Sequence, residues 1–460
     1  MRVVALRQAV LAALATTLIA CAASCGGRTS SGSRQASASP CMSDRECRAG
    51  RICHEGRCRF LEEVRPARGG GGASEADAGP SAPAPTRPPE DQPMFGGGPR
   101  HHGRSSVRGP SQEPGVRWVV RTGARVFASP VVGGDGTVYV GSLDRTFSAI
   151  APDGTLRWRY TAPDRIYSTA AIAPDGTLYV GCDDDSLLAL TPGGQVRWRV
   201  ALGHDVDSSP VIGPDGTVYV GADGLYAIDP QGRVRWHATL AAHVFSPPAV
   251  HPAGLIVVGA QDARLRAYRL DGTEAWSHDM GGSVDGGATI LADGTIVAGA
   301  DGGRIVALGP DGTERWSYRA GGDVRATPAV TPDGTIVVGA YDGVLYGLAP
   351  DGTLRFRVET SGRIRASARV DLEGRIYVGS QDDVLYAIAP DGRILWRKNL
   401  GMDIDSSGAF GPDGTYYTGC DDGGIYALGG VATATTPVAP APAPTPARAD
   451  GGAPPAERRP

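Results

Sequence analysis

The fold is decided by a stretch that the chain repeats, read first at residues 128–160 as ASPVVGGDGTVYVGSLDRTFSAIAPDGTLRWRY. Four short runs in this stretch are rich in β-branched and aromatic side chains: residues 128–132, 137–140, 147–150 and 156–160. Asp-Gly pairs such as Asp153-Gly154 stand between runs. Because Asp-Gly favours tight turns with positive φ, the pattern predicts a meander of four antiparallel strands.

Two markers recur through the chain with a nearly constant period. An aromatic residue stands at Trp118, Trp158, Trp198, Trp236, Trp276, Trp316, Phe356 and Trp396. A glycine keeps the same period at Gly141, Gly181, Gly221, Gly259, Gly299, Gly339, Gly379 and Gly419. Each step is 40 residues except one of 38, between the third and fourth positions. A four-stranded unit that recurs about every 40 residues is typical of a β-propeller blade.

The ends of the repeat region indicate how the propeller closes. Trp118 precedes the first complete repeat, and no similar strand follows residue 428. We therefore expect the strand around Trp118 to complete the last blade. The sequence predicts an all-β, eight-bladed propeller with four-stranded antiparallel blades, closed by this N-terminal strand, with the periodic aromatic residues packed between blades.

The repeats resemble those of a known family. The segment SPVIGPDGTVYVG at residues 209–221, followed by LYAI at 225–228 and a Trp-containing strand, is similar to the PQQ-like β-propeller repeat. That family contains quinone-dependent alcohol dehydrogenases and lipoproteins of the outer-membrane barrel-assembly machinery. The resemblance therefore implies the fold more strongly than the activity.

The first residues are typical of a bacterial export signal. Arg2 and Arg7 give a positive start, and residues 9–20 form an apolar run of 12 residues, too short to span a bilayer. The segment 18–21, LIAC, resembles a lipobox, which implies cleavage before Cys21 and a lipid on that cysteine. Cys25 is the alternative acceptor, and an ordinary secretory signal is the alternative reading. Ala22 after the cysteine favours the outer membrane, on the periplasmic face or the cell surface.

Composition divides the chain into six segments. We predict a lipoprotein signal peptide at 1–20, a lipid anchor and tether at 21–40, a cysteine-rich disulfide module at 41–60, a disordered Gly/Pro/Ala linker at 61–115, the propeller at 116–430 and a disordered Pro/Ala-rich tail at 431–460. The linker and the tail have too little apolar surface to fold alone. His101 and His102, inside the linker, are expected to be solvated.

The cysteines agree with export. The disulfide candidates are Cys41, Cys47, Cys53 and Cys58, which allow three pairings that the sequence does not distinguish. A zinc site is the alternative, although these four residues contain no CxxC pair. Cys182 and Cys420 occupy the same repeat position in different blades, so we expect both to be free and buried.

Charge and motifs exclude several classes of function. The formal net charge is −4, from 45 basic and 49 acidic residues, and the propeller has no basic run, which disfavours nucleic acid. Quinone-dependent dehydrogenases of the family often carry two adjacent cysteines over the cofactor, and no cysteines are adjacent here. We therefore expect a monomeric non-enzyme without a cofactor or metal.

The repeats differ most just before the innermost strand of each blade. Aligned on the periodic glycines, one variable position holds Phe127, Tyr167, Asp207, Phe245, Asp285, Arg325, Arg365 and Asp405. Two residues earlier stand Arg125, Arg165, Asp205, His243, Ser283, Asp323, Arg363 and Asp403. Both series are predicted to surround one mouth of the central channel. A mouth with acidic, basic and aromatic sectors can orient a charged partner.

Part of this ring has a closer resemblance. Residues 205–210, DVDSSP, with Arg165 in the preceding repeat, look like the partner-contact segment of the propeller lipoprotein of the barrel-assembly machinery. A similar arrangement recurs with Arg363 and residues 403–405. The candidate partner-binding residues are Arg165, Tyr167, Asp205, Asp207, Asp285, Arg325, Arg363, Arg365, Asp403 and Asp405. The resemblance implies a protein-interaction scaffold in outer-membrane protein assembly. The alternatives are a surface propeller that binds a peptide or glycan, a PQQ-dependent dehydrogenase, or charges that are merely solvated.

Overall fold

The computed structural model describes the strands of a short hairpin and residues 94–429. The hairpin consists of β1 (Arg51–His54) and β2 (Arg57–Phe60), paired antiparallel with Cys53 opposite Cys58. It belongs to a separate compact unit from the propeller. Cys21, Cys25, Cys41, Cys47 and the tail at 431–460 lie outside the described residues, so the anchor and the disulfides remain predictions. Within the described residues, no helix has the length and apolar character needed to cross a membrane.

The propeller has eight sheets of four antiparallel strands, as predicted. Blade 1 contains β4 (Val131–Val132), β5 (Val138–Gly141), β6 (Thr146–Ile150) and β7 (Leu156–Thr161); blade 2 contains β8 (Ala171–Ile172), β9 (Leu178–Cys182), β10 (Ser186–Leu190) and β11 (Val196–Ala201). Blade 3 contains β12 (Val211–Ile212), β13 (Val218–Gly221), β14 (Gly224–Ile228) and β15 (Val234–Thr239); blade 4 contains β16 (Ala249–His251), β17 (Leu255–Gly259), β18 (Arg264–Arg269) and β19 (Glu274–Asp279).

The second half of the propeller repeats this order. Blade 5 contains β20 (Thr289–Ile290), β21 (Ile296–Gly299), β22 (Arg304–Leu308) and β23 (Glu314–Arg319); blade 6 contains β24 (Ala329–Val330), β25 (Ile336–Gly339), β26 (Val344–Leu348) and β27 (Leu354–Glu359). Blade 7 contains β28 (Arg369–Val370), β29 (Ile376–Gly379), β30 (Val384–Ile388) and β31 (Ile394–Asn399); blade 8 contains β32 (Ala409–Phe410), β33 (Tyr416–Gly419), β34 (Gly424–Leu428) and, as its outer strand, β3 (Val116–Arg121). The predicted closure is confirmed, because β3 pairs with β34 and places Val119 opposite Tyr426.

The periodic glycines make room for the next repeat. A Cβ atom on Gly141 would lie 2.2 Å from Ile166 Cγ2, and one on Gly221 would lie 2.3 Å from Val244 Cγ1. Each such β-branched residue is the middle of three residues that lead into the next inner strand; we call these the lead-in triplets: 125–127, 165–167, 205–207, 243–245, 283–285, 323–325, 363–365 and 403–405. Since the middle residue is buried against the preceding blade, the triplets of all eight blades share one orientation.

The periodic aromatic residues pack between blades, as predicted. The Trp158 indole lies against Gly194 of blade 2, where an added Cβ would be 2.6 Å from its ring. Its Nε1 donates a hydrogen bond to the Pro192 carbonyl at 2.7 Å. Phe356 has no N–H to donate, yet it packs against Gly392 in the same way. Cys182 and Cys420 are free and buried, which confirms that expectation.

Residues 94–110 form a strap bound to the propeller, and the predicted linker is therefore wrong from residue 94 onwards. Four strap carbonyls accept hydrogen bonds from inner-strand amides of blades 4 to 7: Val250 to Pro99 (2.7 Å), Ile290 to Arg100 (3.0 Å), Val330 to His102 (2.8 Å) and Val370 to Gly103 (2.8 Å). The strap includes a short 3-10 helix, Phe95–Gly97. Inner strands have an unpaired edge towards the channel, so even a Gly/Pro-rich segment finds partners there.

The strap also corrects the expectation for the two histidines. His101 is 1% exposed, and its Nδ1 lies 3.1 Å from the Ala288 carbonyl. His102 Nε2 lies 2.6 Å from the Ile290 carbonyl. At the end of the strap, the Pro110 carbonyl accepts a hydrogen bond from Trp396 Nε1 at 2.9 Å. The Pro110 carbonyl thus accepts from Trp396 the hydrogen bond that, for Trp158, is accepted by the carbonyl of Pro192 in the next blade.

Candidate partner-binding site

The last residues of the eight lead-in triplets converge on one cavity. They are Phe127, Tyr167, Asp207, Phe245, Asp285, Arg325, Arg365 and Asp405, and the cavity has a volume of about 310 Å³. We call this end of the channel the upper mouth. Phe95 of the strap lines the same cavity. The geometry therefore agrees with the predicted ring for this series, while its role in binding a partner remains a proposal.

A belt of hydroxyl groups fixes the inner strands next to the upper mouth. The Ser129 amide donates to Thr169 Oγ1 at 3.0 Å, and the Thr169 amide donates to Ser209 Oγ at 3.0 Å. The belt closes across the seam, where the Ser407 amide donates to Ser129 Oγ at 3.0 Å. Each bond joins neighbouring blades, so the triplet ends are held on a rigid frame.

Two carboxyls form an acidic pair in the mouth. Asp207 lies beside Asp183, which follows strand β9, and one oxygen of each, Oδ1, is buried without a hydrogen-bond partner among the described residues. Burial raises the pKa of both carboxyls, that of Asp183 to about 8, and the Asp205 charge raises both further. Two close carboxyls cannot both ionise without cost, so the pair holds a proton near neutral pH.

A second sector is neutralised internally. Arg325 makes two hydrogen bonds to Asp301, from Nε at 2.9 Å and from Nη2 at 2.8 Å. Its Nη1 also lies 3.4 Å from Asp285 Oδ2. The bidentate bond to Asp301 raises the pKa of Arg325. This arginine is therefore a fixed part of the wall rather than a free contact for a ligand.

Arg365 lies across the mouth. Its guanidinium carbon is 4.2 Å from the centroid of the Phe127 ring, although blade 8 separates the two lead-in triplets. Burial raises the pKa of the carboxyls of Asp207, Asp285, Asp405 and Asp421, and the Arg365 charge lowers each of them. No salt bridge within 4.0 Å joins Arg365 to a carboxylate within residues 94–429. It is a shared cation facing several acids at once.

The charge of the upper mouth is predominantly acidic. Three carboxyls line the cavity, those of Asp207, Asp285 and Asp405, with Asp183 and Asp301 next to them, against the guanidinium groups of Arg325 and Arg365. A further carboxyl, Asp421, is paired with Arg125 at 3.2 Å. Asp405 is 9% exposed and accepts hydrogen bonds from Gln381 Nε2 at 3.0 and 3.2 Å. Burial raises the pKa of Asp183, Asp207, Asp285 and Asp405, so ionising these four carboxyls together is unfavourable unless further positive charge arrives.

The first residues of the triplets lie outside the cavity, which differs from the single ring predicted. Arg165, Asp205, Arg363 and Asp403 do not line it. Arg165 and Arg363 are exposed, and the Arg363 guanidinium lies 5.4 Å from the centroid of the Tyr341 ring. Their carbonyls have a structural role, since that of Arg165 accepts a hydrogen bond from the Asp183 amide at 3.0 Å. These four residues form an outer rim.

A second layer of residues next to the mouth was not predicted from the sequence. They stand two positions after a periodic glycine and include Asp183, Gln261, Asp301, Tyr341, Gln381 and Asp421. Asp301 reaches Arg325, and Gln381 reaches Asp405, in each case 24 residues further along the chain. The sequence contains a signal for this layer, because the second position after each periodic glycine varies among Leu, Asp, Gln and Tyr while the position before it is always small.

Comparisons with known proteins agree with this architecture. The sequence profile of the family described as outer membrane protein assembly factor BamB matches residues 183–318 and 261–371. BamB from Moraxella catarrhalis superposes with a TM-score of 0.59 at 18% identity, covering 69% of this chain and 99% of its own. Quinohemoprotein alcohol dehydrogenase from Comamonas testosteroni superposes with a TM-score of 0.63 at 15% identity, covering 75% of this chain and 82% of its own. A europium-containing methanol dehydrogenase superposes with a TM-score of 0.60 at 15% identity, covering 71% of this chain and 88% of its own. A comparison with curated proteins gives no match.

The repeats and the fold together define a quinoprotein-type β-propeller. The repeats are similar to the PQQ-like propeller repeat, and the profile that residues 183–371 match is the one described for BamB. At identities of 15% to 18% the superpositions establish the fold only.

The residues of the upper mouth do not fit the quinone cofactor of the dehydrogenases. Pyrroloquinoline quinone is a tricarboxylate, so its site must supply positive charge. Here Arg325 is already bound by Asp301, and the remaining shared cation, Arg365, faces several carboxyls. Within residues 94–429, no three His, Cys, Asp or Glu side chains are grouped to hold a metal ion. A further trianion would be repelled by this mouth.

Proposed function

We propose that this chain is a non-catalytic scaffold, held at the bacterial outer membrane by a lipid on Cys21, that binds a partner protein at its upper mouth and assists outer-membrane protein assembly. The observation that carries the proposal is the convergence of eight triplet ends, three acidic, two basic and three aromatic, on one cavity. The profile match to BamB supports the assembly role. The lipobox-like segment at 18–21 supports the anchor.

The charges indicate what the partner brings. The Asp183–Asp207 pair has two buried oxygens without hydrogen-bond partners among the described residues, and burial raises the pKa of both carboxyls. A lysine or arginine from a partner would allow both carboxyls to ionise and would displace a proton. The outer rim, with Asp205 beside this pair, lies where the flanking residues of such a segment would pass.

A surface propeller that binds a peptide or glycan is the second candidate. An aromatic sector favours it, because Phe127 and Tyr167 lie in the same cavity with ring centroids 5.5 Å apart. Aromatic faces stack on sugars and on apolar peptide side chains. This candidate depends on Phe127 and Tyr167, whereas the first depends on Asp205 and Asp207, so variants separate the two.

The test compares co-purification of partners with the full-length chain and with an Asp205→Ala/Asp207→Ala variant. We expect the variant to lose the partner at least tenfold while keeping or raising its melting temperature, because burial raises the pKa of Asp207 and its removal relieves that cost. The control is Asp153→Ala/Asp351→Ala, which removes two carboxylates from exposed turns. If both variants retain the partner equally, the acidic mouth is not the binding site.

A further inference from the structure

The strap builds a second cavity at the lower mouth of the channel. In blade 1 the chain passes from Phe127 at the upper mouth to Val132 at the end of the inner strand, and the strap crosses blades 4 to 7 at the level equivalent to Val132. Beyond it lies a cavity of about 270 Å³, lined by residues 97–102 and Arg104 of the strap. No residue of the upper mouth lines it, so the two cavities are separate sites.

The wall of this lower cavity is held in place from behind. The strap carbonyls bind the inner-strand amides of four blades, so its backbone follows the rigid propeller. Arg104 Nε donates a hydrogen bond to the Val330 carbonyl at 2.7 Å, and its Nη2 donates to the Thr331 carbonyl. His102 is fixed through the Ile290 carbonyl. The side chains in the wall are therefore partly ordered before any ligand binds.

Positive charge collects in this wall without a matching acid. The charge comes from Arg100 and Arg104, which line the cavity together with His102, and no ion pair joins either arginine to a carboxylate within residues 94–429. Burial lowers the pKa of His102, the Ile290 carbonyl opposes this, and Arg100 and Arg104 lower it further. Burial also lowers the pKa of Arg104, opposed by the charge of Asp333. That aspartate is already bound to Arg355 at 2.7 Å.

We propose that the lower cavity is a binding site for a phosphate-class oxyanion. The Arg100 guanidinium and the Nη1 group of Arg104, whose Nε and Nη2 already bind carbonyls, leave N–H donors for one tetrahedral anion, and arginine suits such an anion better than lysine. Gly97 and Gly98 leave the wall open for close approach of a ligand to the backbone. The anion belongs either to a free phosphate compound or to a lipid headgroup, and this proposal does not depend on the function of the upper mouth.

The test uses the full-length chain with inorganic pyrophosphate as the free ligand. We expect pyrophosphate binding, measured by calorimetry, to weaken at least tenfold in Arg100→Gln/Arg104→Gln and to weaken further with added salt. Arg100→Gln alone tests the site without removing the hydrogen bonds of Arg104, and Arg104→Lys keeps the charge but loses the planar fork. The control is Arg319→Gln/Arg393→Gln, two exposed arginines on outer strands and turns.

Vesicles distinguish the two sources of the anion. If the natural ligand is a lipid headgroup, the chain binds vesicles that contain phosphatidic acid, and pyrophosphate competes with this binding. If the natural ligand is a free phosphate compound, the chain binds pyrophosphate but not the vesicles. Either result supports the site, provided that the Arg100→Gln variant weakens it. The proposal is overturned if neither probe binds, or if the arginine variants at 100 and 104 bind as well as the control.

Discussion

At the scale of single residues, the upper mouth is defined by carboxyls that the protein keeps partly protonated. Asp183 and Asp207 come from consecutive repeats and meet because a lead-in triplet crosses onto the preceding blade. The sequence could place Asp207 by its distance from a periodic glycine. It could not show that Asp183 faces it, since that contact depends on how two blades are rotated against each other.

The acidic pair predicts a specific pH dependence. The pKa of Asp183 is raised from 3.8 to about 8, so its protonation stabilises the native state fully below the unfolded value and this stabilisation is lost as pH rises through about 8. Asp183→Asn does not titrate. The unfolding free energy of this variant, relative to that of the unmodified chain, should therefore increase by about 1–2 kcal/mol between about pH 4 and pH 8, after allowance for solvent screening. Its melting temperature should increase in parallel.

An exposed aspartate provides the control of opposite sign. The Thr155 amide donates a hydrogen bond to Asp153 and lowers the pKa of that carboxyl. Asp153→Asn should therefore gain no stability as pH rises. Thermal unfolding of both variants and of the unmodified chain, measured over this pH range, tests the prediction. If the stability difference between Asp183→Asn and the unmodified chain does not change with pH, the pKa of Asp183 is not raised.

At the scale of strands and segments, the glycines and the lead-in triplets set the spacing of the blades. Their period was enough to predict all eight blades and the closing strand, because every local signal repeats eight times. The strap was missed for the opposite reason. It has no periodic pattern, and its stability comes from unpaired inner-strand edges that exist only once the propeller has closed.

The glycine positions predict a stability effect with a matched control. Gly221→Ala brings a methyl group within 2.3 Å of Val244 Cγ1 and 2.6 Å of its carbonyl oxygen, so the lead-in triplet of blade 4 must shift. We expect a loss of about 1–3 kcal/mol in denaturant unfolding. At Gly193 the nearest atom, Thr191 Oγ1, would lie 3.7 Å from an added Cβ, so Gly193→Ala should be nearly neutral. Equal losses at both sites would contradict the packing role of the periodic glycines.

At the scale of the whole molecule, the channel has two mouths of opposite charge. Triplet ends and the positions after the periodic glycines make the upper mouth acidic, and the strap makes the lower mouth basic. The net charge of −4 conceals this separation. Alignment of the repeats predicted the upper ring from the sequence. The lower mouth could not be predicted in this way, because it exists only when residues 97–104 bind the propeller.

In-cell photo-crosslinking from position 205 on the outer rim, in the full-length chain with Cys21 intact, tests whether the upper mouth binds an assembly component. A probe at Val234, which is 44% exposed on the outer strand of blade 3, is the control. We predict a specific adduct with an outer-membrane protein-assembly component from position 205, absent from position 234 and lost in Asp207→Ala. The account is contradicted if position 205 gives no adduct while the protein is folded, or if both positions capture the same species.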